Sequence, residues 1–106
     1  MTHEEFNVVL NETIRKCKST LATKKDIYAS DLDRLDNFKQ ASSLQKCSQA
    51  QALWGMLSKH LVALSEYIKL DASGYAITAE EFEEKLGDSI NYLILLRGIL
   101  KEEGKI

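Results

Sequence analysis

The sequence predicts an all-α protein, a small helical bundle with two long antiparallel helices that is completed by dimerisation. Three observations favour this class. The chain of 106 residues contains no proline, so no residue type in it interrupts a long helix. Apolar residues recur at three- and four-residue steps along several stretches, which is the period of an amphipathic helix. No stretch shows the strict alternation of apolar and polar residues that is typical of a half-buried strand.

Length and composition indicate one helical domain that covers residues 1–106. Hydrophobic residues make up 44% of the chain and charged residues 28%, which is the composition of an ordinary globular protein. The formal net charge is −2, so the sequence does not indicate a broad basic surface for nucleic acids or other polyanions. A local basic pocket stays compatible with that charge.

The first predicted helix begins at a capping box, in which Thr2 and Glu5 each bond the other's backbone N–H. It runs to about residue 22, and we expect residues 23–32, which mix charges with serine and aspartate, to form a partly irregular loop. The apolar face of this helix consists of Phe6, Val9, Leu10, Ile14, Cys17 and Leu21.

A short second helix is predicted to begin near Asp31 or Asp33. The segment Lys46-Cys47-Ser48-Gln49 ends it, and Ser48 is a good N-cap for the next helix because its hydroxyl can accept from an unpaired first-turn amide. The inward residues of the second helix are predicted to be Leu35, Phe38 and Ala41.

Two long helices follow, separated by a turn at Gly74. Thr78 and Glu81 predict a second capping box at the start of the fourth helix. The inward face of the third helix is predicted to hold Leu53, Trp54, Leu57, Leu61, Leu64 and Ile68, and that of the fourth Phe82, Leu86, Ile90, Leu93 and Leu96.

The two cysteines and the N-terminus bear on the compartment. Cys17 and Cys47 form no Cys-x-x-Cys motif and no cluster with histidine, so we expect reduced thiols rather than a zinc site or a disulfide scaffold. The first residues, MTHEEFNVVL, lack the basic and apolar regions of a signal peptide. No window is apolar enough to span a membrane. We therefore expect a cytoplasmic protein.

Polar residues run beside the apolar faces of the two long helices. Glu84, Asp88 and Asn91 share one side of the fourth helix, and Lys59 and His60 lie on the third. If these helices pack antiparallel, the two sets could meet in one polar recess. The simpler alternative is that the same groups are solvated surface residues, and the sequence leaves both interpretations open.

The segment "YASDLDRLDNF" is unusually rich in polar groups. Its Asp-x-Asp spacing is similar to a calcium loop, but position six from Asp31 is not glycine and position twelve is Ser42 rather than glutamate, which excludes an EF-hand. Local turns and helix caps explain most of the aspartates. Arg34 stands out because a planar guanidinium suits a phosphate group.

Three segments together resemble a group of small helical proteins that are common in bacteriophages and prophages. They are "KKDIYASDLDRLDNFKQASSLQ", "ALWGMLSKHLVALSEYI" and "EEKLGDSINYLILLRGIL", and the resemblance covers roughly residues 24–100. More distantly the chain is similar to nucleotide-modification-associated phage domains and to MazG-like all-α nucleoside triphosphate pyrophosphohydrolases. The resemblance implies that Asp88, with Asn91 and Tyr92, matches the helix that carries a metal-binding acid in those enzymes.

The chain also departs from the pyrophosphohydrolase pattern. Lys85 stands where those enzymes usually keep a glutamate, and the third helix offers Lys59 and His60 with only the distant Glu66. Holding magnesium on a triphosphate takes two or three carboxylates. The pattern therefore favours orienting a ligand over seating two metal ions.

Two functions are predicted, and the sequence also leaves open a third, a structural subunit whose helices only assemble. In the first, a phage-encoded protein binds or hydrolyses a nucleotide or a nucleotide-derived signal, with Tyr28, Trp54 or Tyr92 stacking on the base. In the second, a small phage protein inhibits a host enzyme or defence system by protein contact. In both we expect a homodimer or higher homo-oligomer. The candidate ligand-binding residues are Arg34, Lys59, His60, Glu84, Asp88, Asn91 and Tyr92, and Glu84 and Asp88 would hold a magnesium ion if one is used.

Overall fold

The structure is a computed structural model that describes residues 1–28 and 33–106, with side chains described outside 23–32. It contains four α-helices: α1 (His3–Tyr28), α2 (Asp36–Gln45), α3 (Gln49–Ala72) and α4 (Ala79–Glu102). The described residues form no strand, so the all-α class is confirmed. Nor do they include a helix both long enough and apolar enough to cross a bilayer.

Helix α1 is longer than predicted. Its capping box is confirmed, since the Thr2 N–H donates to Glu5 Oε2 at 2.7 Å and the Glu5 N–H donates to Thr2 Oγ1 at 3.1 Å. The helix then continues to Tyr28, so the prediction of a loop is wrong for residues 23–28. These residues include neither proline nor glycine, and an established helix extends easily through such a stretch. The remainder of the predicted loop, 29–32, lies outside the described residues.

Helix α2 begins later than predicted, at Asp36. The carboxylate of Asp33 accepts the Leu35 N–H at 2.9 Å and so closes a turn ahead of the helix. The predicted end is confirmed, because Lys46 adopts a left-handed conformation with φ 53° directly after Gln45.

The two long helices begin differently. Ser48 is the N-cap of α3, as predicted, and its side chain accepts from the Gln51 N–H in a complete capping box. Thr78 is the N-cap residue of α4 but makes no side-chain cap bond, so the predicted Thr78–Glu81 box is wrong. The Glu81 carboxylate instead lies 3.4 Å from the hydroxyl of Tyr67, which donates to it from α3.

The core lies where α2, α3 and α4 meet. Leu53 and Leu57 of α3, Phe38 of α2 and Ile99 of α4 are almost completely buried, with Leu35 beside them. The predicted inward residues Leu35, Phe38, Leu53 and Leu57 are therefore confirmed. Tyr92, Leu95, Leu96 and Met56 pack around this cluster.

The predicted faces of α3 and α4 are right only in part. The partly buried members of these faces are Leu64, Phe82, Leu86, Ile90 and Leu96. Trp54, Leu61, Ile68 and Leu93 were predicted to point inward but are exposed. On α4 the interior positions are taken by Ser89, Asn91 and Ile99. Apolar periodicity locates a face correctly only where that face is apolar, and here two polar side chains occupy the interior.

Among the described side chains of α1, burial is found around Cys17 and Leu21 rather than in the first turns. Cys17 is buried and Leu21 partly buried, whereas Phe6, Val9, Leu10 and Ile14 of the same predicted face are exposed. Helix α1 packs against α4. The molecule is elongated as a result, with principal extents of 43 × 30 × 27 Å.

Candidate functional site

A cavity of about 290 Å³ opens where α1, α2, α3 and α4 converge. We call it the Asn91 cavity. It brings together residues that are distant in sequence, because Arg34 comes from the turn before α2 and Asp88, Asn91 and Tyr92 come from α4. The full lining is Leu21, Arg34, Asn37, Phe38, Met56, Asp88, Asn91, Tyr92 and Leu95.

Asn91 is the most informative residue of this cavity. It is only 4% exposed, yet neither its Oδ1 nor its Nδ2 has a hydrogen-bond partner within the described structure. The Oδ1 of Asn37, on the same wall, is buried and unpaired in the same way. Leaving a polar group buried without a partner costs about 1–3 kcal/mol. Whichever way the Asn91 amide is turned, the cavity offers a ligand one acceptor and two donors.

Arg34 provides the positive charge of the Asn91 cavity. One of its terminal nitrogens donates to the Leu21 carbonyl at 3.5 Å, a long bond that ties the turn to α1. A guanidinium carries five N–H donors in a planar fork, which matches the oxygens of a phosphate or carboxylate. The remaining donors can therefore serve a ligand.

A charged bridge holds the turn that carries Arg34. The Lys39 ammonium donates to Asp33 and also contacts Glu102 Oε1 at 2.6 Å, which links α2 to the end of α4. The hydrogen bond from Lys39, together with the Leu35 N–H, lowers the pKa of Asp33. Hydrogen bonds to Asp33 and Glu102 raise the pKa of Lys39 well above its ordinary value. The bridge thus stays charged at neutral pH.

His60 lies next to the cavity rather than in its wall. Its ring is tilted against that of Tyr92, with centroids 5.4 Å apart. Its Nδ1 lies 3.9 Å from Asp88 Oδ2, too far for a hydrogen bond, and that nitrogen is buried without a partner among the described groups. His60 can therefore support the positions of Asp88 and Tyr92, which do line the cavity.

The other predicted site residues lie elsewhere. Lys59 is exposed on α3 and lines neither of the two cavities described here. Glu84 lines a second, more open cavity of about 430 Å³ between α1 and α4. Asp88 borders both cavities. Cys17 also lines that second cavity. Burial raises the pKa of its thiol.

The aromatic residues predicted to stack on a base do not all line the Asn91 cavity. Tyr92 lines the Asn91 cavity, whereas Trp54 is 52% exposed on α3 and is not part of its lining. The side chain of Tyr28 lies outside the described residues. Phe38, which the sequence indicated only as a core residue, contributes the second ring to the wall.

No group of three or more histidine, cysteine, aspartate or glutamate side chains gathers as metal ligands in the part of the chain that is described. Glu84 and Asp88 both line the second cavity, and magnesium is often held by one or two carboxylates together with phosphates. The predicted magnesium pair thus stays a prediction, and no catalytic step is derived through it.

Asn37, Met56 and Leu95 are the cavity residues that were predicted neither for the site nor for the core, and Leu21 and Phe38 were predicted only for apolar faces. Asn37 follows Arg34 by three residues, so the two share one side of the chain once the turn before α2 forms. That spacing was a usable signal. Met56 gave none, because an isolated methionine in a helix is usually a core residue.

Comparisons of the chain with protein-family models, curated proteins and solved structures gave no match. The resemblance to small phage and prophage helical proteins, and more distantly to MazG-like pyrophosphohydrolases, therefore stays a prediction from the three quoted segments. The evidence for a function comes from the cavity itself.

Proposed function

We propose that this chain is a phage-encoded protein that binds a nucleotide or nucleotide-derived signal in the Asn91 cavity. The observation that carries the proposal is the Asn91 amide, which is buried, lines the cavity and has no hydrogen-bond partner in the described structure. Buried polar groups in native proteins are nearly always paired. A ligand with a complementary polar edge would supply the missing partners.

The chemistry of the wall suits the parts of a nucleotide. The Asn91 and Asn37 amides can bond the edge of a base, since an amide matches an adjacent donor and acceptor. The ring of Tyr92, which is only partly buried, offers apolar surface to its faces. Arg34 can bond a phosphate, and the Asp88 carboxylate can accept from ribose hydroxyls.

The volume limits the size of the ligand. At about 290 Å³, the cavity lies at the lower end of the range for small-molecule pockets, roughly 300–1,000 Å³. This favours a nucleoside or mononucleotide, or one half of a larger nucleotide whose remainder extends into solvent. Because Asp88 is the one carboxylate among the described residues that line the Asn91 cavity, we propose binding rather than hydrolysis.

The proposal takes α3 and α4 as antiparallel. Two ring contacts support this arrangement: His60 meets Tyr92 at 5.4 Å, and Tyr67 meets Phe82 at 6.2 Å. Residue numbers rise along α3 as those of its α4 partners fall. The polar side of α4 thereby lies beside the middle of α3.

Calorimetric titration with nucleosides and nucleoside monophosphates, with and without Mg²⁺, tests the proposal. We expect at least one monophosphate to bind. Arg34→Met should weaken that monophosphate by about tenfold to a hundredfold, the loss of a charge-assisted bond, and leave its nucleoside nearly unaffected. Asn91→Leu should weaken both. No heat from any compound at millimolar concentration would refute the pocket.

Lys59→Met is the matched control for Arg34→Met. It removes one cation that is exposed and outside the cavity lining, so nucleotide affinity should not change. If Lys59→Met weakens the monophosphate as strongly as Arg34→Met does, the site involves the α3 surface and the assignment to the Asn91 cavity is wrong.

We also propose self-association, as a homodimer or higher homo-oligomer, and keep binding and inhibition of a host protein as the second candidate function. Exposed apolar residues support both self-association and binding of a host protein. One of them is Trp54, and tryptophan often anchors protein interfaces. A stoichiometric host protein retained by the chain, and lost on Trp54→Ser but not on replacing Asp88 and Lys59, would favour the second function over the nucleotide pocket.

A further inference from the structure

The surface of the chain is too large for a compact monomer. Its accessible area is 7704 Å² at a mass of 12.0 kDa, whereas a folded monomer of that mass exposes about 6,000 Å². Its radius of gyration is 16.0 Å, against about 13 Å for a compact domain of this length. The excess of about 1,700 Å² is the area that one chain loses in a homodimer of ordinary obligate size, roughly 1,000–2,500 Å² per partner.

Part of this excess lies on the first turns of α1. Leu21 shares a cavity wall with Tyr92 and Leu95, and Cys17 shares one with Glu83 and Gly87, so α1 and α4 run in the same direction. Helix α4 begins at Ala79, only about 6 Å of helix before Glu83. Phe6 lies about 16 Å of helix before Cys17. The first turns of α1 therefore extend beyond the N-terminal end of α4.

The exposed residues continue the face that packs farther along α1. Phe6, Leu10 and Ile14 follow the same helical line as the buried Cys17 and the partly buried Leu21, with Val9 at its edge. They are between 45% and 54% exposed. An apolar line that is half covered and half bare indicates that something outside this chain covers the bare half.

This bare half is complementary to itself. If two copies meet antiparallel about an axis at Leu10, Phe6 of one lies opposite Ile14 of the other, because each is four residues from Leu10. Phe6 and Ile14 lie about 40° on either side of Leu10 around the helix, so the three apolar side chains of each copy face those of the other.

We infer that the α1 face formed by Phe6, Val9, Leu10 and Ile14 binds the same face of a second copy of this chain, antiparallel and about a two-fold axis at Leu10. The inference rests on the proposed self-association and names its surface. A symmetric interface needs a self-complementary patch, and the spacing of Phe6, Leu10 and Ile14 provides one.

Sedimentation equilibrium of single variants tests the surface. The full chain should be a dimer, and Leu10→Glu should raise its dissociation constant by about a hundredfold or more, because it buries two like charges at the axis. Val8→Glu is the matched control: Val8 is 65% exposed on the opposite side of α1, so its variant should stay dimeric. Circular dichroism at 222 nm checks that both variants are folded.

A pair of opposite charges placed on the face gives a second test that does not depend on folding of one variant. Phe6→Glu and Ile14→Lys should each weaken the dimer when alone, and an equimolar mixture should restore it as a heterodimer, because the introduced carboxylate of one copy then faces the introduced ammonium of the other. A dimeric Leu10→Glu, or a mixture that associates no better than its parts, would overturn the α1 surface while leaving self-association in place. A monomeric full chain would overturn both.

Discussion

Asn91 is a buried residue that the fold alone does not explain. Its amide is 4% exposed and lacks partners in the described structure, and leucine has nearly the same size. Without any ligand, Asn91→Leu should raise the free energy of unfolding by about 1–3 kcal/mol, because the desolvation cost of the unpaired amide disappears. Urea denaturation measures it. We expect a protein to lose about this much stability when it keeps a buried polar group for binding a ligand.

Ser89 provides the control for that substitution. It is equally buried on α4, but its hydroxyl donates to the Lys85 carbonyl at 2.7 Å. Ser89→Ala should therefore lower the free energy of unfolding slightly, by about 0.5–1 kcal/mol. If Asn91→Leu also lowers it, the Asn91 amide has a structural role, and the argument for a ligand loses its main support.

Asp33 predicts how the fold responds to acid. Its pKa is lowered below the ordinary value of 3.8 by the hydrogen bond from Lys39 and by that from the Leu35 N–H. A carboxyl with a lowered folded pKa adds stability above its unfolded pKa, and this is lost as pH falls through the folded value. Between pH 5 and about pH 2 the wild type should thus lose more stability than Asp33→Asn, as measured by urea midpoints.

At the scale of an element, the two long helices differ in how their first turns are satisfied. Ser48 forms a complete capping box at the start of α3, whereas the Thr78 side chain makes no cap bond at the start of α4. Ser48→Ala should cost about 1 kcal/mol of unfolding free energy, and Thr78→Ala a few tenths at most. Equal losses in chemical denaturation would mean that Thr78 caps α4 in solution.

The helices also show what the sequence could predict. Residue types at helix ends, such as Thr2, Ser48 and Gly74, located the boundaries because capping and turn chemistry is local. The interior of α4 was predicted only in part, because the buried Asn91 and Ser89 are polar and the apolar Leu93 is exposed. Hydropathy therefore placed the centre of the buried face incorrectly. Arg34 and Asp88 could be proposed for a common site from their chemistry, but their meeting in one cavity depends on tertiary packing. The same packing leaves Lys59 outside.

At the scale of the whole molecule, the proposed self-association predicts that folding is coupled to dimerisation. Among the described residues the largest fully buried side chains are Phe38, Leu53, Leu57 and Ile99, and a chain with so small a core would gain part of its stability from a second copy. The urea midpoint should therefore rise with protein concentration. For a dimer that unfolds to two free chains, each tenfold increase in protein concentration adds about 1.4 kcal/mol to the free energy of unfolding per mole of dimer.

The concentration series is most decisive when wild type and Leu10→Glu are measured together. The wild-type midpoint should rise steadily between about 1 and 100 μM, because unfolding is then coupled to dissociation. The Leu10→Glu midpoint should be lower and independent of concentration, because that variant unfolds as a single chain. A wild-type midpoint that does not move across this range would show that 106 residues hold this fold without a second copy, and the bare face of α1 would then need another explanation.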